Sequence, residues 1–175
     1  MWWQRFLNRY NGISMFLKEE WVDASALQIE VDASGWGAGG YFQRKWFSLR
    51  WNAEQRKFSI AEKEMIAIIL ACKAWSSQWA AQKIQFWSDN AAVVHAVGNR
   101  RVRDKPLMRR VRELHFLEAC GNFCVRVSHI PGVNNTLADH VSRGKESAFV
   151  YSFMKRFGYP PNEVQETVEV PDCSA

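Results

Sequence analysis

The chain has 175 residues, enough for one domain with a core of its own, and its 47% hydrophobic and 23% charged content excludes a disordered polymer. No run approaches the roughly 20 apolar residues that span a bilayer, and the aromatic, partly polar opening does not read as a signal peptide. A net charge of +5 suits an anionic partner, and four cysteines without a C-x-x-C pair read as the reduced thiols of a cytoplasmic or nuclear protein.

Residues 1–26 carry Trp2, Trp3, Phe6, Leu7, Tyr10, Phe16, Leu17 and Trp21 and predict a docking helix or two. Leu27–Ser34 alternates apolar and polar residues, which predicts a strand. Gly35, Gly37, Gly39 and Gly40 predict a turn, followed by strands at Tyr41–Phe42 and Trp46–Trp51. Ser59-Ile60-Ala61-Glu62 fits a capping box and opens a helix that runs to about Trp79. A strand over Lys83–Ser88 and a short helix over Asn90–Val97 follow. Asn99–Lys105 is a charged loop. Pro106 suits the first turn of a helix that extends to about Cys120 and stops at Gly121-Asn122. Phe123–His129 predicts a strand, Pro131-Gly132 a turn and Thr136–Arg143 a last helix. The order βββαβααβα is mixed α/β: an antiparallel meander, then strands that run parallel to the first.

Two attractive motifs fail on context. Gly35-x-Gly37-x-x-Gly40 matches the dinucleotide fingerprint but leads into a strand, whereas a pyrophosphate site needs a helix N-terminus there. Cys120-x-x-x-Cys124 with His129 lacks a fourth zinc ligand at sensible spacing.

The acids are more informative. Asp32 and Asp89 close the first and second major strands, so parallel pairing would put both at one sheet edge, where sites form in open α/β sheets. Glu64 shares an apolar helix face with Ile60, Ala67, Ile68, Ala71 and Trp75, where an unpaired carboxylate is costly. Asp139 lies on the last helix and His129 ends the last strand. Converging carboxylates repel, and such a cluster suits hard divalent cations such as magnesium or manganese, used in pairs for phosphodiester cleavage. Arg100, Arg101, Arg103, Lys105, Arg109, Arg110 and Arg112 give seven positive charges against one acid, Asp104, and predict contact with a nucleic-acid backbone.

These residues resemble the ribonuclease H domain of retroelement reverse transcriptases. Val31-Asp32-Ala33-Ser34, Lys63-Glu64-Met65-Ile66-Ala67-Ile68 and Ser88-Asp89-Asn90 are similar to its first three motifs. The segment from His129 to Arg143, including Ala138-Asp139-His140-Val141-Ser142-Arg143, is similar to its closing signature. Trp2-Trp3, Asn11-Gly12-Ile13-Ser14-x-Phe16 and Trp21 resemble the connection in DIRS-type, tyrosine-recombinase elements, which makes Met1 an arbitrary start inside a polyprotein.

The resemblance implies a ribonuclease H-like fold, a five-stranded mixed sheet with helices on both faces. It implies a connection over residues 1–26, the nuclease domain over 27–145 and a C-terminal extension with a flexible tail over 146–175. Asp32, Glu64, Asp89 and Asp139 would hold two Mg2+ ions, with Mn2+ able to substitute, and an activated water would cut RNA to a 3′-hydroxyl and a 5′-phosphate. His129 matches a position that shuttles protons or assists product release. Ser34 and Asn90, beside the acids, are expected to touch substrate. The partners are an RNA–DNA hybrid, told apart by its 2′-hydroxyls, and the polymerase domain. Trp79–Asn90 leaves no room for the basic handle helix of cellular bacterial-type enzymes, so Arg100–Arg112 is expected to grip the hybrid instead. A transposase or integrase of the same fold would have glutamate last and none on the first helix. A retired nucleic-acid-binding module is the alternative, though all four acids are present.

Overall fold

The computed structural model describes residues 2–9, 18–24, 26–131, 135–162 and 167–169. They form α1 (Trp2–Arg9), β1 (Trp21–Asp23), β2 (Ile29–Ala33), β3 (Gly37–Phe42), β4 (Lys45–Arg50), α2 (Ile60–Trp75), β5 (Lys83–Ser88), α3 (Ala91–Gly98), α4 (Lys105–Gly121), β6 (Cys124–His129), α5 (Thr136–Ser142) and α6 (Glu146–Phe157). The Asn11–Phe16 segment lies outside the described residues, as does most of the C-terminal tail.

The strands make two three-stranded sheets, which corrects the expected single sheet of five. One is the antiparallel meander β2-β3-β4. The other is the parallel sheet β1-β5-β6. The physical reason is a competitor for the edge of β5. Trp21–Asp23, in the segment expected to be helical, pairs with Lys83–Gln85, and Ala24 N–H extends the pairing to Gln85 O. Between β2 and the rest of β5 a cavity of about 320 Å³ opens, lined by Ile29, Val31, Phe86 and Trp87. There the Asn135 carboxamide, not a strand, donates to Val31 O at 2.8 Å.

Helix α2 starts where Ser59 Oγ accepts the Glu62 N–H at 3.2 Å. Only half of the expected capping box forms, because the Glu62 carboxylate turns to Arg110. The helix packs on β2 and β3 on one side and α4 on another, so most of its surface is buried. It ends at Trp75 in a 3-10 turn, and Trp75 and Trp79 sit in an aromatic core with Phe42, Phe47, Phe86 and Phe123. Helix α4 is capped by Asp104, whose Oδ1 accepts the Leu107 N–H, and Asn122 takes the left-handed conformation that stops it.

The glycines after Asp32 are not the expected turn. Gly37, Gly39 and Gly40 lie inside β3, and Gly39 pairs with Asp32. A Cβ on Gly39 would sit 2.5 Å from Ser142 N and 2.6 Å from Val141 C, so its absence lets α5 lie directly on the strand. Gly39→Ala is expected to force α5 outward. Overpacking of this kind costs about 1–3 kcal/mol, which lowers the melting temperature by roughly 3–10 °C in a chain of this size. A thermal melt at wild-type stability would contradict that.

Past α5 the chain makes one further helix that the sequence reading lacks. Gly144, at φ 67, turns the chain into α6. Its Phe149 and Phe153 are fully buried against Tyr41 and Trp46 on the outer face of the antiparallel sheet. The chain then returns to the β3–β4 turn, where Asn162 O accepts from Trp46 Nε1 at 2.8 Å. No helix among the described residues is long and apolar enough to cross a membrane.

Candidate active site

Four elements deliver the acids to one place. Asp32 lies in β2, Glu64 in the second turn of α2, Asp89 directly after β5 and Asp139 in the first turn of α5. Asp32, Glu64, Asp89 and Asp139 all line a single cleft, together with Asn135, Thr136 and Arg143. The cleft lies at the carboxyl ends of β2 and β5, the end at which open α/β sheets place their sites.

Three of the acids have a polar anchor. Ser142 Oγ donates to Asp32 Oδ2 at 2.6 Å. Ser88 Oγ donates to Glu64 Oε2 at 2.7 Å while accepting the Asn90 N–H at 3.1 Å, and the Asn90 amide reaches Glu64 Oε1 at 3.5 Å. Arg143 Nε donates to Asp139 Oδ1 at 2.6 Å. Burial raises the Asp32 carboxyl above its ordinary range; the Ser142 hydroxyl opposes this, and Asp139 and Asp89 add to it. Burial likewise raises Glu64, the Ser88 and Asn90 bonds oppose it, and Asp89 and Asp32 add to it. The donors are oxygens only, which suits a hard divalent cation. Among the described residues, however, no three of His, Cys, Asp and Glu are gathered closely enough to hold an ion between them. Cys72 and Cys124 are free thiols.

The other expected site residues divide. His129 is exposed at the end of β6, paired in register with Ser88, and is outside the set that lines the acidic cleft. Ser34 is corrected. It is buried, its hydroxyl donates to Ser142 O at 2.8 Å and accepts from the Trp36 and Gly37 N–H groups, so it holds structure rather than substrate. Asn90 is half-buried beside Glu64. Its Oδ1 caps α3 through Ala92 N–H and its amide faces Glu64.

Within the basic stretch, Arg100, Arg101, Arg103, Lys105, Arg109 and Arg112 are exposed. Arg110 is not, which corrects its expected role. It is 2% exposed and its Nε lies 3.1 Å from Glu62 Oε1, beneath the Phe58 ring. The stretch spans the sheet. Arg100 reaches Cys124 at the start of β6, and five strand steps, roughly 16 Å, separate that point from the end carrying His129. Arg110 contacts the first turn of α2, two residues from Glu64.

Ser88, Ser142 and Arg143 are site residues that the sequence reading passed over. The available signals were local: Ser88 directly precedes Asp89, and Ser142 and Arg143 follow Asp139 by three and four residues, one turn along the helix.

The model of the RNase H-like domain found in reverse transcriptase matches residues 23–118, which takes in Asp32, Glu64 and Asp89 and stops before Asp139. No relative was found among curated proteins. Solved structures similar to this chain include two RNase H proteins. The N-terminal RNase H domain of rv2228c from Mycobacterium tuberculosis, solved as a fusion with maltose binding protein, has a TM-score of 0.47 and 16% identity, covering 71% of this chain and 96% of its own. RNase H1 from the halophilic archaeon Halobacterium salinarum NRC-1 has a TM-score of 0.42 and 20% identity, covering 67% and 84%. With more than half of its length matched by the family model, the chain belongs to the RNase H-like domains found in reverse transcriptase.

Proposed function

We propose that the chain is the ribonuclease H domain of a retroelement reverse transcriptase and hydrolyses the RNA strand of RNA–DNA hybrids. The observation that carries this reading is the gathering of Asp32, Glu64, Asp89 and Asp139 on one cleft. Asp32, Glu64 and Asp89 would hold two Mg2+ ions, or Mn2+ in their place, with Asp139 completing the second site. Such ions supply Lewis acidity toward the phosphodiester. The protein's own part is to hold four carboxylates against their repulsion. Ser142, Ser88 and Arg143 do this for Asp32, Glu64 and Asp139. His129, exposed nearby at the strand end, would take up or release protons as product leaves. The exposed arginines and Lys105 would hold the hybrid backbone. Trp2-Trp3 and Trp21 support a DIRS-type lineage and a preceding connection to a polymerase domain, and four cysteines without a C-x-x-C pair support work in the cytoplasm or nucleus. Residues 27–145 would form the catalytic unit, with 146–175 as an extension whose first part, α6, braces the sheet.

The test is cleavage of a labelled RNA–DNA hybrid in Mg2+ or Mn2+, with an Asp89→Asn control. RNA cuts that vanish in the control support the reading. A protein that binds hybrid without cutting it, even with its polymerase domain restored, supports the alternative of a retired binding module. Arg101→Ala with Arg103→Ala is expected to lower the slope of log affinity against log salt by about two, near one per phosphate contact. An unchanged slope would remove the loop from the interface.

A further inference from the structure

We propose that Ser142 is a positioning residue, whose hydroxyl fixes Asp32 and seats the Asp139-bearing helix against it. The inference rests on reading the acidic cleft as a nuclease site. Ser142 is fully buried, and its Oγ lies 2.6 Å from Asp32 Oδ2 across 110 residues of sequence. A hydroxyl has one proton to give. The other acceptor in reach is Asp139 O, at 3.1 Å. The carboxylate is nearer and charged, so it takes the proton.

The bond does two things at once. It restrains the carboxylate of Asp32, and it sets the rotation of α5, on which Asp139 stands three residues before Ser142. Two further contacts dock the same helix end without touching Asp32. Ser34 Oγ donates to Ser142 O at 2.8 Å, and Ser48 Oγ donates to Val141 O at 2.8 Å. They satisfy carbonyls that a helix C-terminus otherwise leaves open. Part of the docking is therefore carried by atoms other than the Ser142 hydroxyl and can be weakened by substitution without touching the Asp32 bond.

Four variants make the test: Ser142→Ala, Ser142→Cys, Ser142→Thr and Ser48→Ala. Each is compared with wild type in steady-state cleavage of a hybrid and in calorimetric titration with Mn2+ alone. A charge-assisted bond of this kind is worth roughly ten- to a hundredfold. Ser142→Ala is therefore expected to lose about that much in kcat, with KM within about twofold, and to bind Mn2+ about tenfold more weakly. Ser142→Cys, which fills the space with a poor donor, is expected to show the same loss if the alanine variant does not fold. Ser142→Thr restores kcat, and Ser48→Ala stays near wild type. Wild-type kcat and Mn2+ affinity in Ser142→Ala or Ser142→Cys would overturn the proposal. So would losses in Ser48→Ala that equal those of Ser142→Ala, since docking alone would then explain them. A wild-type protein that cuts no hybrid even with its polymerase domain restored overturns the nuclease reading instead. In that case the Mn2+ titration still decides the role of Ser142, because equal affinity with and without its hydroxyl overturns it.

Discussion

Asp32→Asn is expected to abolish hybrid cleavage and, in metal-free buffer at neutral pH, to make the domain more stable. On the proposed nuclease reading, the loss of activity follows from removing one of the carboxylates that would hold metal. Charge stabilisation of this type is worth several kcal/mol, and at 1.36 kcal/mol per decade the rate falls by about a thousandfold or more. The gain in stability follows from the direction of the pKa. Burial raises Asp32 above 3.8, and Asp139 and Asp89 raise it further. In this window the native protein holds a proton that the unfolded chain has released. Stability is thus full below the ordinary value, falls as pH rises through the raised one, and is lowest above it. Glu64, raised above 4.5 by burial and by the same neighbours, acts in the same direction. Asparagine does not ionise and removes the penalty for position 32. Melting curves in chelator at acidic and neutral pH, beside single-turnover cleavage, check both halves. A variant that melts lower than wild type at neutral pH, or cuts within tenfold of it, would refute the account of the cleft.

Arg110→Ala is expected to show the largest loss of stability. The Arg110 and Glu62 side chains are 3% and 7% exposed, and their 3.1 Å bond joins α4 to the start of α2. Removing the guanidinium strands a buried carboxylate, which costs about 3–5 kcal/mol. The corresponding fall in melting temperature is on the order of 10 °C. The double variant Glu62→Leu with Arg110→Met removes both charges and is expected to recover most of that loss. Hybrid affinity, measured well below the melting point, should keep its full salt slope in Arg110→Ala. A stable variant whose slope falls by one would return Arg110 to the phosphate-binding set.

The local elements were largely legible in the chain. Alternation marked β2 and β6, Ser59 and Pro106 marked helix starts, and Asn122 marked a helix end. The errors have one source. The glycines at 37, 39 and 40 read as a turn because glycine is common in turns, yet they lie inside β3, and the missing side chain of Gly39 admits α5. The stripe Phe149, Phe153, Phe157 has helical spacing, but it reads as unremarkable until the outer face of β3 and β4 is there to receive it.

The sequence by itself determined the inventory: four acids on or beside four separate elements, a basic stretch, and oxygen donors suited to a hard divalent cation. Periodicity, caps and charge runs are properties of neighbours along the chain, so one sequence suffices to show them. Tertiary structure alone decided which of these groups face the cleft, which are buried, and what holds them. Arg110 and Arg109 are adjacent in the chain, yet one is sealed against Glu62, 48 residues away, and the other is exposed. Asp32 has its hydroxyl donor on α5, 110 residues later in the chain. A side chain's solvent, partners and charge state are set by atoms that folding brings within a few ångströms, and no local pattern in the chain encodes them.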